Sequence, residues 1–306
     1  MKRILAIMIL LITLVAVSNY QEEIVSFVLK ELVYKQELTE YRANNYAKRQ
    51  NYNYVNLTDN FYPKNKQDIK NVLYTIINSG MTNYSFFCTD EYYNCIEEVE
   101  EISTDHYILS NINTLVHPYN SYNKVHITTN NFGKIDVNIE KLYTDSEIEE
   151  INAKIYNIKQ QILNDNMTDR DKIKAFHDYV INNTVYDSER NALRKENNIS
   201  PNNGNMSLKA NGVLNNHIAL CSGYTDLMAI FLSSIGIPNY KIATREHIWN
   251  AVYLDGRWNH LDLTWDDPVT TNGENVLLYD FFLISTSELE KLDTEQHKYD
   301  KTVYGF

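Results

Sequence analysis

The dipeptide Asp255-Gly256 stands between two runs of alternating character in "HIWNAVYLDGRWNHLDLTWDDP". Asp-Gly favours the two-residue turn whose twist matches that of paired strands, so the segment is expected to form a β-hairpin. Pairing Leu254 with Arg257 fixes the register, with Tyr253 opposite Trp258 and Ala251 opposite His260. Extended further, the same register sets Trp249 against Asp262 and His247 against Thr264. Side chains alternate along a strand, so His247, Trp249, Ala251 and Tyr253 share a face with Trp258, His260, Asp262 and Thr264. His247 and Asp262 are then diagonal neighbours with backbones about 7–8 Å apart. An imidazole and a carboxylate can close that gap with a hydrogen bond, which is how a base is oriented by a third group.

Upstream, "LCSGYTDLMAIFLSSIG" has the pattern of a helix that opens at Cys221. Tyr224, Leu227, Met228, Phe231, Leu232 and Ile235 fall on one helical face. Gly236 suits the left-handed position after a helix, and Pro238 prevents continuation. The helix macrodipole favours an anion at Cys221 by about 0.3–1 kcal/mol, too little alone to make a strong nucleophile. A second cation is required, and His247, held by Asp262, is the expected one.

Other assignments of these residues compete. His260 shares the face with Asp262 and is an alternative partner. His260, Asp262, Asp266 and Asp267 contain metal-ligating groups, but their spacing matches no strong ligand pattern. The three tryptophans of this region suit core packing, as does His177-Asp178 on its helix.

The net charge of −12 argues against a phosphate-binding surface and hence against nucleic acid as a partner. Lys2 and Arg3 precede an apolar run from Ile4 to Val17, short of the roughly 20 residues that span a bilayer. Residues 1–18 are therefore expected to be a signal peptide or membrane anchor, placing the rest outside the cytoplasm, secreted or at the cell surface. In an oxidising compartment Cys88 and Cys95 are candidates for a local disulfide, which leaves Cys221 as the unpaired thiol. Residues 19–66 are expected to form a helical arm or linker. Residues 67–143 are expected to form a small α/β domain: Asp68 to Ser79 has helical spacing, "YSFFC" is extended and "GKIDVNIEKLY" alternates like a strand. At Thr144 a capping box with Glu147 opens a helix with an isoleucine stripe at 148, 151, 155, 158 and 162. A second helix starts near Thr168, and the polar stretch from Ser188 to Ser207 is expected to be a long surface loop.

Taken in order, "ALCSGYTDLMAIFLSSIGIP", "HIWNAVYLDGRW" and "NHLDLTWDDP" resemble the bacterial transglutaminase-like superfamily of papain-like thiol enzymes. "IKAFHDYVINNTVYD" and "YDFFLIS" extend the resemblance over residues 144–306. It implies an α+β fold in which a cysteine-bearing helix packs on an antiparallel sheet, with the smaller N-terminal domain beside it. It places the nucleophile at Cys221, the base at His247 and the orienting acid at Asp262. It further implies acyl transfer through a thioester on protein or peptide amide bonds, cell-wall peptide among them, with water or an amine as acceptor. No cofactor is required by that chemistry. The oxyanion would be met by the Cys221 backbone N–H and by Tyr186. The family commonly has small residues beside the histidine, whereas this chain has Glu246 and Ile248. The short Ala243–Glu246 connection leaves little loop for a substrate wall. A surface binding module on an inactive scaffold is the competing expectation.

Overall fold

The computed structural model describes residues 20, 52–58, 61–130, 132–196, 206–270, 276–292 and 294–304. The expected leader at 1–18 and the helical pattern at 21–51 lie outside the described residues. Residues 52–58 run along α1 (Lys66–Asn78), the first helix among the described residues, where Asn71 Oδ1 and Thr75 Oγ1 accept from the backbone of Asn53 and Val55.

After α1 come β1 (Asn83–Phe87), α2 (Cys95–Thr104), α3 (His106–Thr114), β2 (Tyr122–Thr129) and β3 (Lys134–Lys141). Cys88 and Cys95 form a disulfide that ties the end of β1 to the start of α2. The three strands lie in the order β1-β3-β2 and all pair antiparallel. Helix α2 and strand β2 went unpredicted for physical reasons. The buried residues of α2 are Cys95, Val99 and Ile102, and no residue of the edge strand β2 is fully buried, so each offers only a short apolar face.

Helices α4 (Asp145–Ile162) and α5 (Asp169–Asn182) both open on capping boxes, at Thr144 with Glu147 and at Thr168 with Asp171. The short strand β4 (Val185–Tyr186) leads directly into α6 (Ser188–Lys195). The expected surface loop is therefore helical in its first part, while residues 197–205 fall outside the described ones. Asp187 caps α6 by accepting from Arg190 N at 3.1 Å, and no residue of the helix is buried, which hid it from a search for apolar stripes. Strand β5 (Ile218–Ala219) pairs parallel with β4 and precedes α7 (Cys221–Ser234).

An antiparallel sheet follows, formed by β6 (Asn239–Ala243), β7 (Ile248–Leu254) and β8 (Arg257–Leu261) in the order β6-β7-β8. Asp255 and Gly256 both take positive φ, 52° and 78°, as the two-residue turn requires. Leu254 pairs with Arg257, Tyr253 with Trp258 and Ala251 with His260, in the expected register. The ladder ends at Asn250 with Leu261. Asp262 instead donates its N–H to Phe281 O, so the extrapolated Trp249–Asp262 and His247–Thr264 pairs do not form.

Helix α7 is central. Every residue from Gly223 to Leu232 is buried, not just the expected face, because α7 lies between the β6–β8 sheet and α5. Phe231 stacks on Phe176 of α5 with ring centroids 3.8 Å apart. One apolar cluster runs from Ile69, Leu73 and Val137 of the N-terminal unit to Tyr240, Ile242 and Trp249 of that sheet. A buried ion pair crosses the same region. Asp226 of α7 accepts from Lys241 Nζ at 2.9 Å and from the Tyr143 hydroxyl at 2.8 Å, while Lys241 also reaches Ser121 Oγ at 3.2 Å.

Removing one partner of such a pair leaves the other charge buried. Lys241→Met should therefore lower unfolding free energy by about 3–5 kcal/mol in urea titrations, and adding Asp226→Leu should recover much of it. Equal loss in the single and double variants would contradict the assignment.

Candidate active site

The first turn of α7 is seated by the backbone around Ser207. Leu220 N donates to Ser207 O at 2.7 Å, and a Cβ at Gly223 would lie 2.7 Å from the same oxygen. Glycine is thus needed at 223 for the helix mouth to approach so closely. Cys221 is the first residue of the helix, is partly exposed, and is the free cysteine of the chain. Its N–H belongs to the first turn, whose donors have no partner within the helix.

One turn further, Thr225 Oγ1 donates to Ile248 O at 3.0 Å, and Asn250 Nδ2 donates to Thr225 O at 3.0 Å. These bonds fix the height of Cys221 against β7. His247 sits immediately before that strand, in a tight turn where Thr244 N donates to His247 O at 2.8 Å and Thr244 Oγ1 accepts from His247 N at 3.1 Å. The short connection from β6 to β7 thus holds the imidazole instead of forming a long wall. Glu246 points to solvent.

His247 Nε2 lies 2.5 Å from Asp262 Oδ2, with both residues buried. An ionised carboxylate only accepts, so Nε2 carries the proton and Nδ1 is the nitrogen left for a second partner. The Cys221 side chain is near enough to the imidazole to favour its charged form. Burial opposes a charge on His247, but Asp262 and then Cys221 outweigh it and hold the imidazole up to about 10. Burial likewise opposes ionisation of Asp262, yet His247 and His297 keep its carboxyl well below the usual range. Asp262 Oδ1 accepts from Thr264 N at 3.0 Å and more weakly from Trp265 N at 3.4 Å, which fixes the plane of the carboxylate.

Two cavities share His247 as a lining residue. One of about 1160 Å³ is lined by Tyr186, Arg194, Arg245, His247, Trp265 and Asp267. The other, of about 680 Å³, is lined by Cys221, Ser222, Lys209 and again Arg194, Arg245 and His247. Tyr186 is pushed up to about 12, first by burial and then by the Cys221 charge, so its hydroxyl stays protonated beside the thiol. Asp267 accepts from the Tyr224 hydroxyl at 2.6 Å and is raised to about 6 by burial.

His260 takes no part in this cluster. It is fully buried, with Nδ1 accepting from Trp249 Nε1 at 3.1 Å and Nε2 3.2 Å from Thr286 Oγ1. Burial, followed by the charge of His297, lowers it to about 3. His177 is also buried, between Asp266 at 3.1 Å and Asp178 at 3.0 Å, as expected of a packing residue. The metal set considered from sequence is not assembled. The cluster that does converge is His247, Asp262 and His297, whose ligating atoms lie within 4.8 Å of one another. Both Nε2 atoms are directed at the same Oδ2, so these groups bond to each other and would have to separate to receive an ion.

His297 was missed in the sequence. It lies 35 residues beyond Asp262 in a single 3₁₀ turn, Glu295–His297, where no periodicity or motif points to it.

Residues 156–263 match the family model described as the Transglutaminase-like superfamily. That segment of the chain is similar to a transglutaminase-like domain. Cys221, His247 and Asp262 lie inside the matched segment, and Asp267 and His297 lie beyond it. The chain is also similar to Kyphoscoliosis peptidase of Mus musculus, 24% identical over 173 residues, and to that of Homo sapiens, 23% identical over 173 residues. Each alignment takes in 51% of this chain but only 24% of the relative, so this chain spans about a quarter of their length. Among solved structures, a "TGase" crystal structure aligns with TM-score 0.35 and 20% identity over 47% of this chain and 45% of that one.

His247→Ala should abolish iodoacetamide labelling of Cys221 at about pH 6, where an ordinary thiol is almost wholly protonated. His260→Gln should lower thermal stability, through the lost Trp249 bond, yet leave that labelling within a few-fold of the parent. The opposite pattern would mean that His260 is the partner of the thiol. Without reductant, mass spectrometry should find the label on Cys221 and not on Cys88 or Cys95.

Proposed function

We propose that this protein is a thiol acyl-transfer enzyme acting on amide bonds of proteins or peptides. The observation that carries the reading is the buried imidazole bonded through Nε2 to Asp262, with Cys221 at the helix mouth near enough to raise its basicity. In this scheme His247 and Cys221 rest as an imidazolium–thiolate pair. The Cys221 sulfur attacks the carbonyl carbon, and the oxyanion that forms is met by the Cys221 N–H and the Tyr186 hydroxyl. His247 gives its proton to the leaving amine as the C–N bond breaks, which leaves a thioester on Cys221. His247 then takes a proton from the incoming water or amine, and the thioester is cleaved. Asp262 holds the imidazole in one tautomer throughout and offsets its charge.

The two cavities favour a polymeric substrate. The larger exceeds the roughly 300–1,000 Å³ common for small-molecule sites, and the smaller, which contains Cys221, shares His247, Arg194 and Arg245 with it. The relatives named as peptidases support water as the acceptor. The Cys88–Cys95 disulfide and the apolar run that follows Lys2 and Arg3 support an extracytoplasmic location. Among the described residues no helix is long and apolar enough to cross a membrane.

A panel of glutamine-containing and peptide probes should leave an acyl adduct on Cys221, seen by intact mass, and none on Cys221→Ala. Asp262→Asn should lower turnover by roughly 10²–10⁴-fold through loss of the fixed tautomer. Absence of any adduct from a folded protein with a reactive thiol would favour the binding-module reading instead.

A further inference from the structure

Asp262 serves two imidazoles. His297 Nε2 lies 2.9 Å from Oδ2, the oxygen already bonded to His247 Nε2. Because a carboxylate only accepts, His297 is a donor, and Oδ2 receives two N–H bonds while Oδ1 receives the Thr264 and Trp265 amides. The ring of His297 has no freedom to leave. Its Nδ1 lies 2.5 Å from Thr294 Oγ1, one face stacks on Phe281 at 4.8 Å, and Trp249 and Trp265 meet it edge-on at 4.8 and 4.9 Å.

We propose that His297 is a positioning residue for the reaction, which acts on His247 through Asp262. The inference rests on the triad reading above. Its physical content has two parts. A donor on Oδ2 favours the ionised form of Asp262, so the carboxylate persists to lower pH than His247 alone would allow. The same bond blocks rotation of the carboxylate and occupies the site where water would otherwise compete for Oδ2. The ionisable groups facing His297 are Asp262 and His247, joined to it directly and by ring contact, and His260 on β8. Lys301 is a further charge acting on His260.

A packing role alone predicts something different. If His297 only filled space between Trp249, Trp265 and Phe281, then His297→Phe would leave the ionisation of Asp262 unchanged. The sign of the effect on the proposal is definite. With one donor lost, Asp262 takes up a proton at higher pH, the imidazolium loses its counter-charge, and the reactive thiolate pair collapses earlier on acidification.

The test is the pH profile of Cys221 alkylation by iodoacetamide in the full chain, which needs no substrate. In His297→Phe the acid limb should move up by about one pH unit, the size of one lost hydrogen bond to a charged group. His297→Gln can present an N–H at the place of Nε2 and should restore most of the shift. Thr294→Val, which only unfastens the ring from the 3₁₀ turn, should move the limb the same way by a smaller amount, and it stands in should His297→Phe fail to fold. Acid limbs of His297→Phe and Thr294→Val that coincide with the parent would overturn the proposal and leave the triad intact. A parent profile that follows an ordinary thiol, about half reactive near pH 8.5, would overturn the triad reading and the proposal together.

Discussion

The site depends on the clamp between α7 and β7 at Thr225. Its hydroxyl donates to Ile248 O and its carbonyl accepts from Asn250 Nδ2, each at 3.0 Å. Thr225 is four residues after Cys221, and Ile248 is the residue after His247. The clamp therefore sets thiol and imidazole in register without touching either. Buried hydrogen bonds of this kind resist sliding because breaking one leaves an unsatisfied polar group in the core, at a cost of about 1–3 kcal/mol. The all-round burial of α7 and the Asp226–Lys241 pair keep the helix from turning about its own axis.

Around this clamp the protein gathers charge where burial should forbid it. Desolvation opposes ionisation of both His247 and Asp262, yet their mutual attraction at 2.5 Å outweighs it and holds imidazole and carboxyl in charged form. His260 shows the converse. It is equally buried, its two ring nitrogens meet Trp249 and Thr286, and burial drives it toward the neutral ring. Two histidines close together on one sheet thus take opposite roles, decided by which of them faces Asp262.

Much of this was legible in the chain. Asp255-Gly256 fixed the hairpin and its register, because only a few residue pairs accept positive φ at both central positions. Cys221 at the helix mouth followed from Gly236 and Pro238 at the other end and from the apolar spacing between. What failed was extrapolation. The ladder stops at Leu261 because Asp262 turns its backbone to Phe281, a segment with no strand signal of its own. The His247–Asp262 contact survives because side chains bridge where backbone pairing ends. Helix α6 was hidden because it buries nothing. His297 was illegible for a simpler reason. A lone histidine in a 3₁₀ turn acquires meaning only from the tertiary fold that brings it to Asp262.

The central claim is that Cys221 and His247 rest as a thiolate–imidazolium pair held by Asp262. The most direct measurement is the ultraviolet absorbance of the thiolate, taken as the difference between the parent protein and Cys221→Ser across pH. The account predicts a full thiolate signal already present at about pH 6, well below the ordinary thiol value of about 8.5. It would be contradicted by a difference spectrum that is absent at about pH 6 and rises only around pH 8.5, as for a cysteine with no cation beside it.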